Sequence, residues 1–325
     1  MHFVLKYSII EQIPLLAGTN NSFGGLYGMS FLSDFKSPFT PYHLDSIPDG
    51  NDKISLHLIG DSYLANKVTS GNFINTSSMF FADWRDKPVN FTIDSTKFNI
   101  LIIESTERYL LTRFLNKETL YHPFSNSSTV YNPYYQSITS KLESIVASRE
   151  IDNNLNYLFF DFEILTPIKE FKADFNYHYF NRLPANIYVS DDKKYLFLGE
   201  TIDSSLQTSA FKKISSDELN QLINNINEYT ENYMNKGFNK VYLSIIPNPV
   251  SILGYRKQEY NNLITKIENS SQRKFETINV FNEFKESNKQ LYHYSDTHWN
   301  SAGLQMWVDK VNTTISQLKT QDIIN

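Results

Sequence analysis

An acidic residue and a histidine lie two positions apart near the end of the chain, in Asp296-Thr-His298-Trp299. Far upstream, Ser62 follows Gly60-Asp61 at the end of the apolar run 54–59, where its hydroxyl would project from a strand end. In an activated nucleophile the histidine takes the serine proton, and the carboxylate fixes the histidine tautomer. The hypothesis requires Ser62 and His298 to meet in space.

Each of these signals also has a structural interpretation. Gly-Asp-Ser is typical of turns, aspartate is a common helix start, and a single histidine is often a structural residue. His293, Asp296 and His298 are also residue types that bind a metal ion. Because no second cluster of ligands accompanies them, we predict no metal and no cofactor.

Composition narrows the function classes. The chain has 325 residues, 30 basic against 35 acidic side chains and no long run of lysine or arginine, so nucleic acid is not an expected partner. The absence of cysteine excludes thiol catalysis, thiolate zinc sites and disulfides. The apolar segment 3–16 is interrupted by Lys6, Glu11 and Pro14, and predicts neither a membrane span nor a secretory signal.

Strand and helix patterns alternate along the chain. The sequence predicts strands at 54–59, 78–84, 98–104, 240–246 and about 277–280, and a hairpin of 187–189 with 195–198. It predicts helices at 63–69, after the turn near 105–110, and at 138–147, 216–235, about 255–269 and 304–318. Such alternation favours a parallel sheet, whose ligands gather beyond the carboxyl ends of the strands.

We therefore expect a three-layer α/β/α sandwich with a mainly parallel sheet. Residues 1–50 are irregular and glycine-rich in pattern, and are expected to form an N-terminal lead-in segment. Residues 51–325 are expected to form the α/β domain, with an insertion around 116–190, since the sequence is polar from Asn116 to about Asn154.

Early Gly60-Asp61-Ser62 with late Asp296-Thr-His298 resembles the SGNH (GDSL-type) hydrolase superfamily. The Asp-Thr-His-Trp motif is closer to its polysaccharide O-acetylation branch, the alginate O-acetylation proteins and their relatives. Stretches 102–110, 195–199 and 244–249 also resemble that branch. In the alginate proteins the Asp-His motif precedes the serine, whereas the order here is that of the ordinary superfamily.

The resemblance assigns three roles. Ser62 would be the nucleophile, His298 the base and Asp296 the residue that orients it. Ordinary members carry a Gly-x-Asn-Asp block, which supplies an oxyanion donor, after a strand that here ends in 104–108, Glu-Ser-Thr-Glu-Arg. The backbone N–H of Ser62 is the oxyanion donor that the sequence identifies.

Five further residues are auxiliary or substrate-binding candidates, namely Asp61, Tyr63, Arg108, Trp299 and Tyr294. Trp299 suits equally a sugar-stacking surface and the hydrophobic core. Arg108, four residues after Glu104, suits an ion pair on a helix start first and an orienting role second. The tyrosines are more typical of core and rim than of a carbohydrate platform.

The resemblance implies a serine-dependent carbohydrate O-acetyltransferase or acetylesterase that forms an acetyl-serine. Its partners would be a polysaccharide or oligosaccharide and an acetyl donor, supplied in such systems by a membrane-bound O-acyltransferase. It implies an extracytoplasmic location, in the periplasm or at the cell surface. The alternative is a non-catalytic polysaccharide-binding or assembly module of an acetylation complex.

Overall fold

A computed structural model describes residues 32–36, 41–47, 53–84, 91, 93–116 and 166–318. The predicted helix 138–147 lies outside the described residues, as does most of the lead-in segment. The chain divides into two compact units. The first contains Met1–Phe39, Ser128–Ile187 and Tyr294–Asp296, and the second contains Thr40–Ser127, Tyr188–His293 and Thr297–Asn325.

Seven strands are formed by the described residues: β1 (Ile54–Gly60), β2 (Thr76–Asp83), β3 (Phe98–Thr106), β4 (Ile187–Val189), β5 (Leu196–Leu198), β6 (Lys240–Ile246) and β7 (Glu276–Asn279). Five of them make one sheet in the order β2-β1-β3-β6-β7, and β4 pairs with β5 separately. Every neighbouring pair in the five-stranded sheet is parallel. The parallel sheet expected from the sequence is therefore present.

The helices within the same ranges are α1 (Glu107–Phe114), α2 (Thr166–Phe180), α3 (Ser216–Met234), α4 (Pro249–Leu253), α5 (Leu263–Glu268), α6 (Phe281–Glu286) and α7 (Ser301–Ser316). Short 3-10 helices cover Ser33–Phe35, Ser70–Asn72 and Gly199–Thr201. None of the helices in the described part of the chain combines the length and the apolar character needed to cross a membrane.

The two faces of the sheet are covered by different helices, because successive side chains of a strand point to opposite faces. Leu243 and Ile245 of β6 belong to a buried core that includes side chains of α1, α3 and α5. On the other face, Trp307 of α7 donates a 2.8 Å hydrogen bond to the Ser244 hydroxyl. The arrangement is three-layered, helix on sheet on helix, as predicted.

Helix α3 shows why its limits were predictable. The Ser215 hydroxyl accepts the Glu218 N–H at 3.2 Å, and the Glu218 carboxylate accepts the Ser215 N–H at 3.1 Å, which is a capping box. Beyond the helix, Gly237 has a φ of 105°, a conformation that glycine adopts without steric cost.

Two predicted helices are corrected by the structure. The predicted helix 63–69 is absent: residues 62–67 form turns, and Asn66 has the left-handed φ of 58° that ends helical geometry. The helix expected at 255–269 is reduced to α5, because Arg256, Lys257 and Asn262 also have left-handed φ angles of 45°, 56° and 57°.

The first unit is described at residues 32–36, 166–187 and 294–296. Helix α2, which the sequence did not predict, is fixed to the 3-10 turn by polar contacts. Its Asp174 accepts the Ser33 N–H at 2.9 Å, and His178 lies 3.2 Å from Asp34. A ring contact of 6.1 Å between Phe35 and Tyr177 completes this packing.

Candidate active site

Ser62 lies where the chain leaves β1, at the carboxyl edge of the sheet. Strand β1 has β2 on one side and β3 on the other, so the chain order reverses between β1 and β3. Ligands of open parallel sheets bind at such a point. The turn is closed by two N–H groups, of Leu64 and Ala65, which both donate to the Asp61 carbonyl at 3.0 Å. Ser62 itself is exposed.

Gly60, the last residue of β1, allows a close approach to Glu104 of β3. A Cβ atom at position 60 would lie 2.9 Å from Oε2 of Glu104, closer than real Cβ contacts. The same carboxyl oxygen accepts the Asp61 N–H at 2.9 Å. A side chain at position 60 would therefore have to displace the Glu104 carboxyl group that lies behind the turn.

Asp61 connects the nucleophile turn to its surroundings. Its Oδ1 accepts the Tyr63 N–H at 3.0 Å, and its Oδ2 accepts a hydrogen bond from Nη2 of Arg113 at 2.9 Å. The Lys67 ammonium donates to the carbonyl oxygen of Ser62. Contacts before, at and after Ser62 thus fix the backbone of this turn.

His298 lies in a loop closed by an antiparallel bridge between Tyr292 and Trp299. Inside the loop the His293 N–H donates to the His298 carbonyl at 3.1 Å. The Tyr63 hydroxyl donates to the Thr297 carbonyl at 2.5 Å, so the nucleophile turn and this loop are bonded directly.

The start of α7 holds the other end of the loop. Asn300 accepts the Gly303 N–H at 3.1 Å and donates to the Gln290 carbonyl at 2.8 Å. A Cβ at Gly303 would lie 2.5 Å from the Leu291 carbonyl oxygen, so this contact also requires glycine. The loop that carries His298 is therefore held by backbone and capping bonds.

Ser62 and His298 meet. Ser62 Oγ lies 2.8 Å from Nε2 of His298, and the histidine is only 7% exposed. The Tyr63 ring, 4.5 Å from the imidazole between centroids, packs against it. An imidazole nitrogen at this distance can accept the serine proton, which is the geometry that a general base requires.

Trp299 and Tyr63 are supports of this pair. Trp299 is 0% exposed and Tyr63 is 1% exposed, and the indole N–H of Trp299 donates to the Tyr63 carbonyl at 3.1 Å. Of the two roles that the sequence left open for Trp299, burial favours the core. Neither ring presents a surface on which a sugar could stack.

Asp296 and Tyr294 lie in the same loop but belong to the first unit, whereas Ser62 and His298 belong to the second. Asp296 is 8% exposed and Tyr294 is partly exposed. The orienting role of Asp296 and the auxiliary role of Tyr294 stay predictions from the sequence.

Arg108 is buried beside Glu200 and Tyr109. It is 4% exposed, its Nε lies 4.0 Å from Oε1 of Glu200, and its guanidinium lies 4.9 Å from the Tyr109 ring centre. The partner expected from helical spacing, Glu104, instead bonds the Asp61 N–H. Arg113, five residues further along α1, is an arginine that contacts the nucleophile turn.

Glu104 is the second site residue that sequence reasoning missed. It is fully buried, and burial, reinforced by the negative charge of Asp61, raises its pKa well above the ordinary value. Its signal in the sequence was an acidic residue that ends a run of isoleucines. Arg113 had no comparable signal, because its contact with Asp61 spans 52 residues.

The backbone N–H of Ser62 is an available oxyanion donor. No acceptor for it is present among the residues that the structure describes. Strand β3 continues through Thr106 and α1 begins at Glu107, so residues 104–108 are strand and first helical turn. Within the described ranges, no three histidine, aspartate or glutamate side chains are grouped to hold a metal ion.

Comparison with known proteins does not assign the chain to a family. No protein-family model, no curated protein and no solved structure matches the chain.

Proposed function

We propose that the protein is a serine-dependent acyl-transfer enzyme, a carbohydrate O-acetyltransferase or acetylesterase. The observation that supports this most strongly is the 2.8 Å contact between Ser62 Oγ and His298 Nε2. The exposed position of Ser62 at the switch point of a parallel sheet is a second support. A serine hydroxyl and an imidazole nitrogen at hydrogen-bond distance are the pair that this chemistry requires, and their contact supports the proposal.

The proposed reaction begins when Ser62 attacks the acetyl carbonyl while Nε2 of His298 takes the hydroxyl proton. The negative charge on the carbonyl oxygen of the tetrahedral intermediate is stabilised by the Ser62 N–H. The intermediate collapses to acetyl-serine, and His298 returns the proton to the departing alkoxide. Water or a sugar hydroxyl then attacks the acetyl group and gives its proton to the same nitrogen. The bond between the acetyl carbon and the Ser62 oxygen breaks, and His298 returns the proton to that oxygen, which restores the free serine.

The proposed reaction requires that Nε2 of His298 carries no hydrogen at the start, so the proton of the neutral ring must be on Nδ1. The resemblance to the SGNH superfamily assigns the acceptor of that proton to Asp296. The same resemblance supplies the acetyl group, the polysaccharide substrate and the extracytoplasmic location as parts of the proposal. Transfer and hydrolysis share the acetyl-serine and differ in which hydroxyl reaches it.

Replacement of the nucleophile tests the mechanism. We expect Ser62→Ala to lower release of p-nitrophenol from its acetate by at least about 10³-fold, because the covalent route is lost. Ser204→Ala removes an exposed hydroxyl from another turn and is expected to keep full activity. A folded Ser62→Ala protein with unchanged activity would exclude the serine mechanism.

Transfer is distinguished from hydrolysis by the product. The protein is incubated with p-nitrophenyl acetate and candidate oligosaccharides, and the masses of the sugars are measured by mass spectrometry. A gain of one acetyl group that depends on Ser62 supports a transferase. Hydrolysis without acetylated sugar supports an esterase.

A second candidate function is a non-catalytic polysaccharide-binding or assembly module. It is favoured by residues 104–108, which form strand and helix where the superfamily carries its Gly-x-Asn-Asp block. Oligosaccharide binding measured by calorimetry, together with failure of a fluorophosphonate to label Ser62, would support this function. Stoichiometric labelling of Ser62 would exclude it.

A further inference from the structure

We propose that Arg113 is a positioning residue that acts through Asp61 to hold the turn on which Ser62 lies. The inference rests on the proposed function, because it assigns a task to the surroundings of the same nucleophile. Arg113 touches neither Ser62 nor His298 in any described contact. The contact that joins Arg113 to the nucleophile turn is with Asp61, so the proposed effect on the reaction passes through that residue.

The guanidinium of Arg113 is fixed on several sides. Nη2 donates to Oδ2 of Asp61 at 2.9 Å, and Nη1 donates to the Ser105 hydroxyl at 3.1 Å. Its Cζ atom lies 4.7 Å from the ring centre of Trp84 and 5.2 Å from that of Tyr109. The planar guanidinium of arginine can donate two hydrogen bonds and stack on an aromatic ring at the same time. The ammonium group of lysine replaces it poorly at such a site.

Asp61 transmits this constraint to Ser62. It precedes the nucleophile directly, and its Oδ1 accepts the N–H of Tyr63, the residue that follows the nucleophile. Its own N–H is bonded to the buried Glu104. Rotation of the Asp61 side chain would therefore release one of the bonds that define the Ser62 backbone.

The charges around Asp61 explain why a cation is needed there. Asp61 lies against the carboxyl group of Glu104, and the two groups repel each other when both are ionised. Among the residues that the structure describes, Arg113 and Lys67 carry positive charges that act on Glu104, and both side chains contact the nucleophile turn. Asp61 and Arg113 are only 16% and 17% exposed, so water screens their attraction incompletely.

The test uses Arg113→Met with Arg113→Lys, Asp61→Asn and the Arg113→Met/Asp61→Asn pair. The labelling rate of Ser62 by a fluorophosphonate is expected to fall about 10- to 100-fold in Arg113→Met, since small displacements of a nucleophile cost this much. Arg113→Lys should recover part of the rate. The double variant should lose no more than the larger single loss, because both changes remove one interaction.

Amide hydrogen exchange of residues 60–65 gives a readout that does not depend on activity. We expect exchange there to be about tenfold faster in Arg113→Met and Asp61→Asn, while exchange in β6 stays unchanged. Arg273→Met is the matched control, because Arg273 pairs with Glu268 and contacts Phe275 near the amino end of β7, at the opposite edge of the sheet. It should change neither readout.

The outcomes separate this inference from the proposed function. If wild-type protein is labelled and Arg113→Met shows an unchanged rate and unchanged exchange, the positioning role is overturned and the serine mechanism stands. If wild-type protein is not labelled, the serine mechanism fails. Amide hydrogen exchange then decides by itself whether Arg113 holds the turn. Should Arg113→Met fail to fold, Asp61→Asn and Arg113→Lys decide it by the same two readouts.

Discussion

The hydroxyl oxygen of Ser62 lies 2.8 Å from Nε2 of His298, although 236 positions separate the two residues in the sequence. One follows β1 and the other precedes α7, and both reach the carboxyl edge of the sheet. Parallel topology explains the meeting, because it gathers the strand ends of distant segments at one edge.

Asp296 is predicted to hold the Nδ1 proton of His298. Asp296→Asn would leave the imidazole in the wrong tautomer, and we expect kcat for p-nitrophenyl acetate to fall about 10²- to 10⁴-fold. Asp309→Asn, an exposed change on α7, is the control. Wild-type kcat in the folded Asp296→Asn protein would remove Asp296 from the mechanism.

Tyr63 is predicted to stabilise the loop that carries His298. Tyr63→Phe leaves the Thr297 carbonyl without the hydroxyl that donates to it, which should lower the free energy of unfolding by about 1–3 kcal/mol in urea titrations. The rate of Ser62 labelling should fall as well. Tyr188→Phe, at a more exposed ring, should change neither quantity, and equal effects of the two variants would argue against a specific role of Tyr63.

His57 is predicted to make the protein sensitive to acid. It is fully buried in β1, and burial lowers its pKa from 6.5 to about 4. The unfolded chain therefore binds a proton that the folded protein does not bind, and stability is lost as the pH falls from 6.5 towards 4. At about 1.4 kcal/mol for each pKa unit, the loss is about 3 kcal/mol.

Urea unfolding between pH 7 and pH 4 measures this effect. His57→Phe retains an aromatic ring beside Phe80, which lies 4.9 Å from His57 between centroids, and removes the titrating group. Its stability should fall less steeply over that window. Parallel pH curves for the two proteins would show that His57 is not the source of the acid sensitivity.

Glu104 is predicted to make the folded protein less stable as the pH rises, which is opposite to the effect of His57. Because its pKa in the folded protein is raised, the stability that its protonated form contributes is complete below its ordinary value of 4.5 and is lost as the pH rises through the folded pKa. Glu104→Gln keeps an acceptor for the Asp61 N–H and cannot ionise. The variant should gain stability relative to wild type as the pH rises above 4.5, and a constant difference across the pH range would contradict this.

The strands of the sheet were predictable because their sequences are apolar and β-branched, as in Ile54–Gly60 and Phe98–Thr106. Helix α3 was predictable because its apolar stripe begins at a capping box. The turn after Ser62 was not, since residues 63–69 have no helix breaker except Asn66, whose left-handed φ is set by the folded turn.

The nucleophile and its base could be found from their residue types and from a resemblance. The contacts around them could not. Glu104 contacts Asp61 from 43 residues away in the sequence, and Arg113 contacts it from 52 residues away. No local sequence pattern predicts either contact. Helical spacing pointed to Arg108, but register within α1 places Arg113 against the turn.

The most direct measurement is covalent labelling of Ser62. Wild-type protein is treated with a fluorophosphonate, digested and analysed by mass spectrometry, alongside His298→Gln. We predict a stoichiometric adduct on Ser62 and a rate at least about 10²-fold lower in His298→Gln, because the base that takes the hydroxyl proton is gone. The absence of an adduct on wild-type Ser62, or equal rates in the two proteins, would contradict the account.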